Sequence, residues 1–186
     1  MEIDVFVGNR NNVLQRYREC LSHICVPFAV IVDADDVLVC VNTIVKMLEF
    51  EGSTDYAMAV GLPYGGAPSG LSREIIDRML DDNASPNGWG ASVHSYSQAT
   101  KTVVCEELPP GVENLRISLD YPEDLDFLRY LFAQLGNPED VSLRGAVEYI
   151  MQNKIELEKY FPALFDGTIA SRATEHLQAE INAWEN

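Results

Sequence analysis

The stretch FAVIVDADDVLVC, residues 28–40, limits what this chain can fold into more than any other. The unbroken apolar run from Phe28 to Val32 reads as the start of a strand buried on both faces, the kind that sits inside a parallel sheet. It runs straight into Asp33, Asp35 and Asp36. Ionised carboxylates are expensive to bury and repel one another, so such a cluster faces solvent or a bound cation. Two readings stay open here: a solvated turn, or a site.

The segments around this strand alternate in type. IDVFVG reads as a short strand, and NRNNVLQRYRECLSHI as a helix with Val13, Leu14, Tyr17, Cys20, Leu21 and Ile24 at helical spacing, capped by Asn9 or Asn11. VNTIVKMLEFEGS reads as a helix closing at Gly52. YAMAVGLPYGG is strand-like and leads through Gly and Pro turn signals to the helix SREIIDRMLDD, capped by Ser72. NASPNGWGASVHSYSQAT is loop-like, and KTVVCEEL and LRISLD are two further strands. From PEDLDFLRYLFAQLG the chain is helical, through SLRGAVEYIMQNKIELEKYF to a last amphipathic stretch with Leu177, Ile181 and Trp184 on one face. Such alternation implies a layered α/β fold with the late helices packed outside it. The expected organisation is an α/β domain over residues 1–133 and a helical extension over residues 134–186 packed on it.

Composition excludes several functions. With 186 residues, 47% of them hydrophobic, the chain can bury the core of one ordinary domain. Its apolar runs are broken by acids well short of the roughly 18–20 residues a membrane span requires, and no basic-then-apolar leader opens it, so a cytoplasmic protein with no membrane partner is expected. A net charge of -16 argues against nucleic acid as partner, because binding a phosphate backbone needs a basic surface. A single nucleotide held through a metal ion stays compatible with it. Cys20, Cys25, Cys40 and Cys105 match no zinc spacing, and buried reduced thiols are expected.

Ligands of open α/β sheets bind beyond the carboxyl ends of the strands, and two strands here end in acids there. One is AVIVDADD; the other, LRISLDYPEDL, ends at Asp120. About eighty residues separate them, so a shared site requires them to be neighbours. If they are, Asp35 and Asp120 face each other across one hard cation, since Mg²⁺ is usually held by one or two carboxylates plus substrate phosphates. The alternative for Asp120 is helix capping: in DYPED it would cap the helix that Pro122 opens, with Glu123 and Asp124 at the positive end of the dipole.

These residues also carry a family resemblance. IVDADDVLVCVNTIVKML resembles the DxD/GDCPLIDPELID segment of the cytidylyltransferases that activate acidic sugars, within the nucleotide-diphospho-sugar transferase superfamily. LPYGGAPSGLSREIIDRML is similar to their PYGLDVEVFSREALE, and LRISLDYPEDLDFLRYLF to their LRLTVDYPEDLELIRxIY. DVFVGNRNNVLQRYREC matches a stretch of the branch linked to spore-coat polysaccharide biosynthesis. Order and spacing agree over about residues 3–132.

The resemblance implies a Rossmann-like, three-layer α/β/α fold with a mainly parallel sheet, and transfer of CMP from CTP to a sugar acid or a related sugar hydroxyl. It carries the family's Mg²⁺ ligands over to Asp35 and Asp120, and gives Arg16, Tyr64 and Gly65 as candidates for holding the nucleotide. Asp33 and Asp36 take supporting or solvated roles, because the family keeps an acid only at the position of Asp35. Nucleotidyl transfer is mainly positioning and charge neutralisation, for which two carboxylates on a cation suffice.

The departures from the family pattern are specific. Met1 aligns about fifty residues into it, past the opening strand and the Gly- and Arg-rich loop that holds the triphosphate. A family arginine falls at Ile31, an acid at Cys40, a proline at Val37 and an aspartate at Asn12. The family histidine has no counterpart, although His94 lies near its place. Three functions remain open: a cytidylyltransferase active in altered form, an inactive relative that binds or scaffolds, and metal-dependent glycosyl transfer. The first strand is central in the family, so its loss would expose strand edges, and a homo-oligomer, a homodimer, is expected.

Overall fold

The computed structural model describes residues 4–85, 89–105 and 108–165. The expected final helix carrying Leu177, Ile181 and Trp184 lies outside the described residues. The elements run α1 (Val13–His23), β1 (Phe28–Ile31), α2 (Val41–Leu48), β2 (Tyr56–Val60), β3 (Ser69–Ser72), α3 (Arg73–Asp81), α4 (Trp89–Tyr96), β4 (Thr100–Val104), α5 (Pro122–Leu135), α6 (Leu143–Gln152) and α7 (Lys154–Tyr160), with short 3₁₀ turns between.

The strands form one sheet in the order β1-β3-β2-β4. β3 runs antiparallel to both β1 and β2, and β2 runs parallel to β4. The fold is therefore mixed α/β, and the expectation of a mainly parallel sheet is corrected. Its cause is β3, which went unread because SGLS is short, polar and centred on a glycine. Gly70 is required there: a Cβ would lie 2.5 Å from the Phe28 ring and 2.9 Å from Ala57 Cβ. β1, β2 and β4 still point the same way, so their carboxyl ends share one pole of the sheet.

Helices lie against both faces. On one, Tyr56 and Leu71 pack with Leu14 and Leu21 of α1 and Ile75, Ile76 and Met79 of α3. On the other, Phe28, Ala57 and Val103 pack against Met47 of α2. Successive residues of β2 alternate between these clusters, as the pleat demands. A third cluster joins Leu115 and Ile117 to Phe127 and Leu131 of α5, Val147 and Ile150 of α6, and Leu157 of α7.

Three further expectations are corrected. Residues 4–8 form no strand: Val5 and Val7 are 87% and 90% exposed, and among the described residues no strand pairs with them. The loop-like stretch after residue 88 contains α4, whose Val93 is fully buried and whose His94 ring packs edge-on to Tyr56 at 5.0 Å. α1 is capped by Asn12, whose side chain accepts the Gln15 N–H at 2.9 Å, while Asn9 folds the loop before it by accepting from Asn11 and Asn12. Ser72 caps α3 as expected, accepting from Ile75 at 3.2 Å. Buried thiols hold for Cys40 and Cys105 only; Cys20 is half-buried and Cys25 exposed.

At the pole holding the amino ends of β2 and β4, a buried carboxylate ties the strands together. Burial alone would raise the Asp55 carboxyl, but Ser97, the Gln98 and Ala99 N–H groups and Arg78 more than offset this and hold it below the usual value.

Candidate functional site: an acidic turn against a polar strand face

β1 stops at Ile31 because the chain turns at the acids, with the Asp36 N–H donating to the Asp33 carbonyl at 3.1 Å. The turn lies at the pole where β1, β2 and β4 end. Asp35 and Asp36 are half-buried and Asp33 is exposed. Burial, and then the charges of Asp33, Asp35 and Asp120, push the Asp36 carboxyl from 3.8 up to about 6. Asp33 is raised too, by desolvation and then by Asp35.

The expected strand LRISLD is extended but joins no ladder, because its N–H groups go to three different segments. Arg116 donates to the Leu164 carbonyl at 3.0 Å, Ile117 to Tyr64 at 2.8 Å and Leu119 to Asp35 at 3.0 Å. The pairing with Tyr64 is a single parallel bridge. The Leu119 bond makes the two acid-bearing segments neighbours, across about eighty residues of sequence.

The stretch alternates, with Leu115 and Ile117 in the core and Arg116, Ser118 and Asp120 on the other face. Arg116 is itself only 5% exposed. Its guanidinium donates to Asp120 at 2.6 Å, to Asp124 at 2.8 Å and to Ser118 Oγ at 3.1 Å. Ser118 Oγ also donates to Asp120. Asp124 Oδ2 accepts the N–H of Asp120 and of Tyr121, so Asp124 secures the start of α5 and Asp120 does not cap it. Freed from capping, the Asp120 side chain stays 33% exposed beside the acidic turn.

The PYGG loop completes the wall. Gly65 has φ +86°, and a Cβ on it would lie 2.4 Å from the Ser118 nitrogen, so only glycine lets the loop approach so closely. The Tyr64 ring is 5.6 Å from the Arg116 guanidinium carbon, with the Tyr121 ring 5.3 Å away. Burial raises the Tyr64 hydroxyl, as do the charges of Asp120, Asp36 and Asp35, against Arg116.

Asp35, Asp120, Tyr64 and Gly65 therefore meet in one place. Arg16 does not join them through its hydrogen bond, which goes from α1 to the Asn9 carbonyl at 2.9 Å. Arg116 and Ser118 are absent from the sequence reading, which gives Asp124 only a place at the positive end of the helix dipole. The signal for both is present in LRISLD, whose strict alternation puts Arg116, Ser118 and Asp120 on one face of an extended chain.

Carboxylates crowded at a strand end are hard oxygen donors of the kind that suits Mg²⁺. Among the described residues no group of three or more His, Cys, Asp or Glu side chains is arranged to hold a metal ion. No helix among the described residues is long and apolar enough to cross a membrane.

No family model and no curated protein matches the chain. Among solved structures it is similar to a cytidylyltransferase from Leptospira borgpetersenii serovar Hardjo-bovis (strain JB197), at 15% identity and a TM-score of 0.68, over 87% of this chain and 68% of that one. At that identity the likeness is one of fold.

Proposed function

We propose that the acidic turn and the Arg116–Asp124 stretch form the phosphate-proximal part of a nucleotide site, in a cytoplasmic, cytidylyltransferase-like protein of surface-polysaccharide biosynthesis that transfers CMP from CTP to a sugar. The observation that carries this reading is the 3.0 Å hydrogen bond from Leu119 to Asp35, which places Asp35 and Asp120 at one pole of the sheet. The fold likeness to a cytidylyltransferase supports it.

In this reading Asp35 and Asp120 hold Mg²⁺, which when bound neutralises phosphate charge. Arg116 and Ser118 both donate to Asp120 Oδ2 and so fix the direction of its carboxylate. Tyr64 and Tyr121, each 42% exposed beside this network, offer faces for the base or the sugar. The three-layer Rossmann-like architecture belongs to the same reading. So does a homodimer, since β1 and β4 end the sheet with free edges among the described residues.

A second reading, an inactive relative that binds without turnover, is favoured by the hold of Arg116 on Asp120, which partly neutralises the carboxylate. Pyrophosphate release from CTP and Mg²⁺, with a panel of sugar acids, separates the two. Release that disappears in Asp35→Asn and in Asp120→Asn supports transfer. Absence of release with retained CTP binding supports the inactive relative, and release unchanged in both variants removes the proposed site.

A further inference from the structure

At the same pole of the sheet as the acidic turn stands a pair of cysteines that nothing above uses. Cys40 and Cys105 are each 8% exposed, and their sulfurs stand 3.9 Å apart, across 65 residues of sequence. The separation is built into the backbone. The Cys105 N–H donates to the Val60 carbonyl at 3.0 Å, and the Cys40 N–H to that of Gly66 at 3.4 Å. Both cysteines are thereby tied to the two ends of the connection that leaves β2 and forms the Tyr64–Gly65 wall.

We propose that Cys40 and Cys105 are a redox modification site, closing to a disulfide under a peroxide oxidant and reopening under a thiol reductant. A disulfide needs its sulfurs at about 2.05 Å, and sulfurs already in van der Waals contact are placed to close that gap by side-chain rotation. Access is through Cys40, which lines a cavity of about 240 Å³ with Val37, Val41, Ser142 and Arg144.

In the first step the Cys40 sulfur attacks one peroxide oxygen, the O–O bond breaks, and one water leaves with a sulfenic acid formed. In the second the Cys105 sulfur attacks the Cys40 sulfur and displaces its hydroxyl as a second water. Two thiols and one hydrogen peroxide become one disulfide and two waters, with two electrons passing from sulfur to oxygen. The bond encloses residues 41–104, and so the whole of α2 to β4, in a covalent loop. It also pins the chain four residues after Asp36 to the end of β4.

The test uses the full 186-residue chain. It is exposed to hydrogen peroxide under native conditions, alkylated with iodoacetamide and digested for peptide mapping. A Cys40–Cys105 linked peptide, released by dithiothreitol, is expected, together with a melting temperature that rises on oxidation and returns on reduction. Cys25→Ser, at an exposed position, should keep the link; Cys105→Ser should lose it and leave a dimedone-reactive sulfenic acid on Cys40. Recovery of both thiols alkylated after peroxide, linkage of Cys40 to Cys20 or Cys25 instead, or a link formed only in denaturant would each overturn the proposal.

Discussion

Asp36 and Arg116 show how single side chains set the character of the acidic pole. Asp36 holds its proton more tightly in the fold than in the unfolded chain, so its contribution to stability is complete at low pH and is lost as pH rises from 3.8 to about 6. Asp36→Asn should therefore melt higher than the parent at neutral pH and show a shallower fall across that window in a pH series of thermal scans; parallel curves would refute the crowding. Arg116 acts in the opposite sense, as the one cation bonded to Asp120 and Asp124 among the described residues. Arg116→Met leaves Asp124 buried without its cation and should cost about 3 kcal/mol in urea unfolding. Arg116→Lys, which keeps the charge and loses the fork, should cost less. The acids themselves were legible in the sequence, because a charge cluster after an apolar run has few physical explanations. The burial of Arg116 was not, since alternation shows which side chains share a face but not what covers that face.

At the scale of elements, helices read more faithfully than strands. α3 and its Ser72 cap follow from local chemistry alone, and Ser72→Ala should lower stability by about 1 kcal/mol. The helix divided at Asn153, into α6 and α7, could not be read from an uninterrupted apolar period. Strands depend on partners that the sequence does not display. LRISLD has the alternation of a strand, yet its N–H groups find Leu164, Tyr64 and Asp35, so it becomes a bridge between segments. β3 has no strand signal, yet it separates β1 from β2 because Gly70 leaves room for the Phe28 ring. Gly70→Val should cost about 2 kcal/mol through overpacking, measurable as a lower urea midpoint. Gly65→Ala should weaken the contact with Ser118 and cost a similar amount, about 2 kcal/mol, with the loss concentrated at the acidic pole.

For the whole molecule, the sheet sorts its chemistry by pole. The amino ends of β2 and β4 carry a satisfied carboxylate, Asp55, with its hydroxyl, amide and guanidinium donors in place. The carboxyl ends carry Asp33 and Asp36, raised by burial and then by neighbouring acids, beside Asp120, which Arg116 holds. A fully bonded carboxylate has no need of a ligand; a cluster of mutually repelling ones gains from a cation. That contrast is the reason we propose the acidic pole as the functional one, and its two halves are joined by the Leu119 hydrogen bond. Calorimetric titration with CTP, with and without Mg²⁺, tests this most directly. The account predicts saturable binding that needs Mg²⁺ and is lost in both Asp35→Asn and Asp120→Asn, while the fold stays intact by circular dichroism. Absence of binding under any of these conditions, or binding indifferent to Mg²⁺ and to both substitutions, would contradict it.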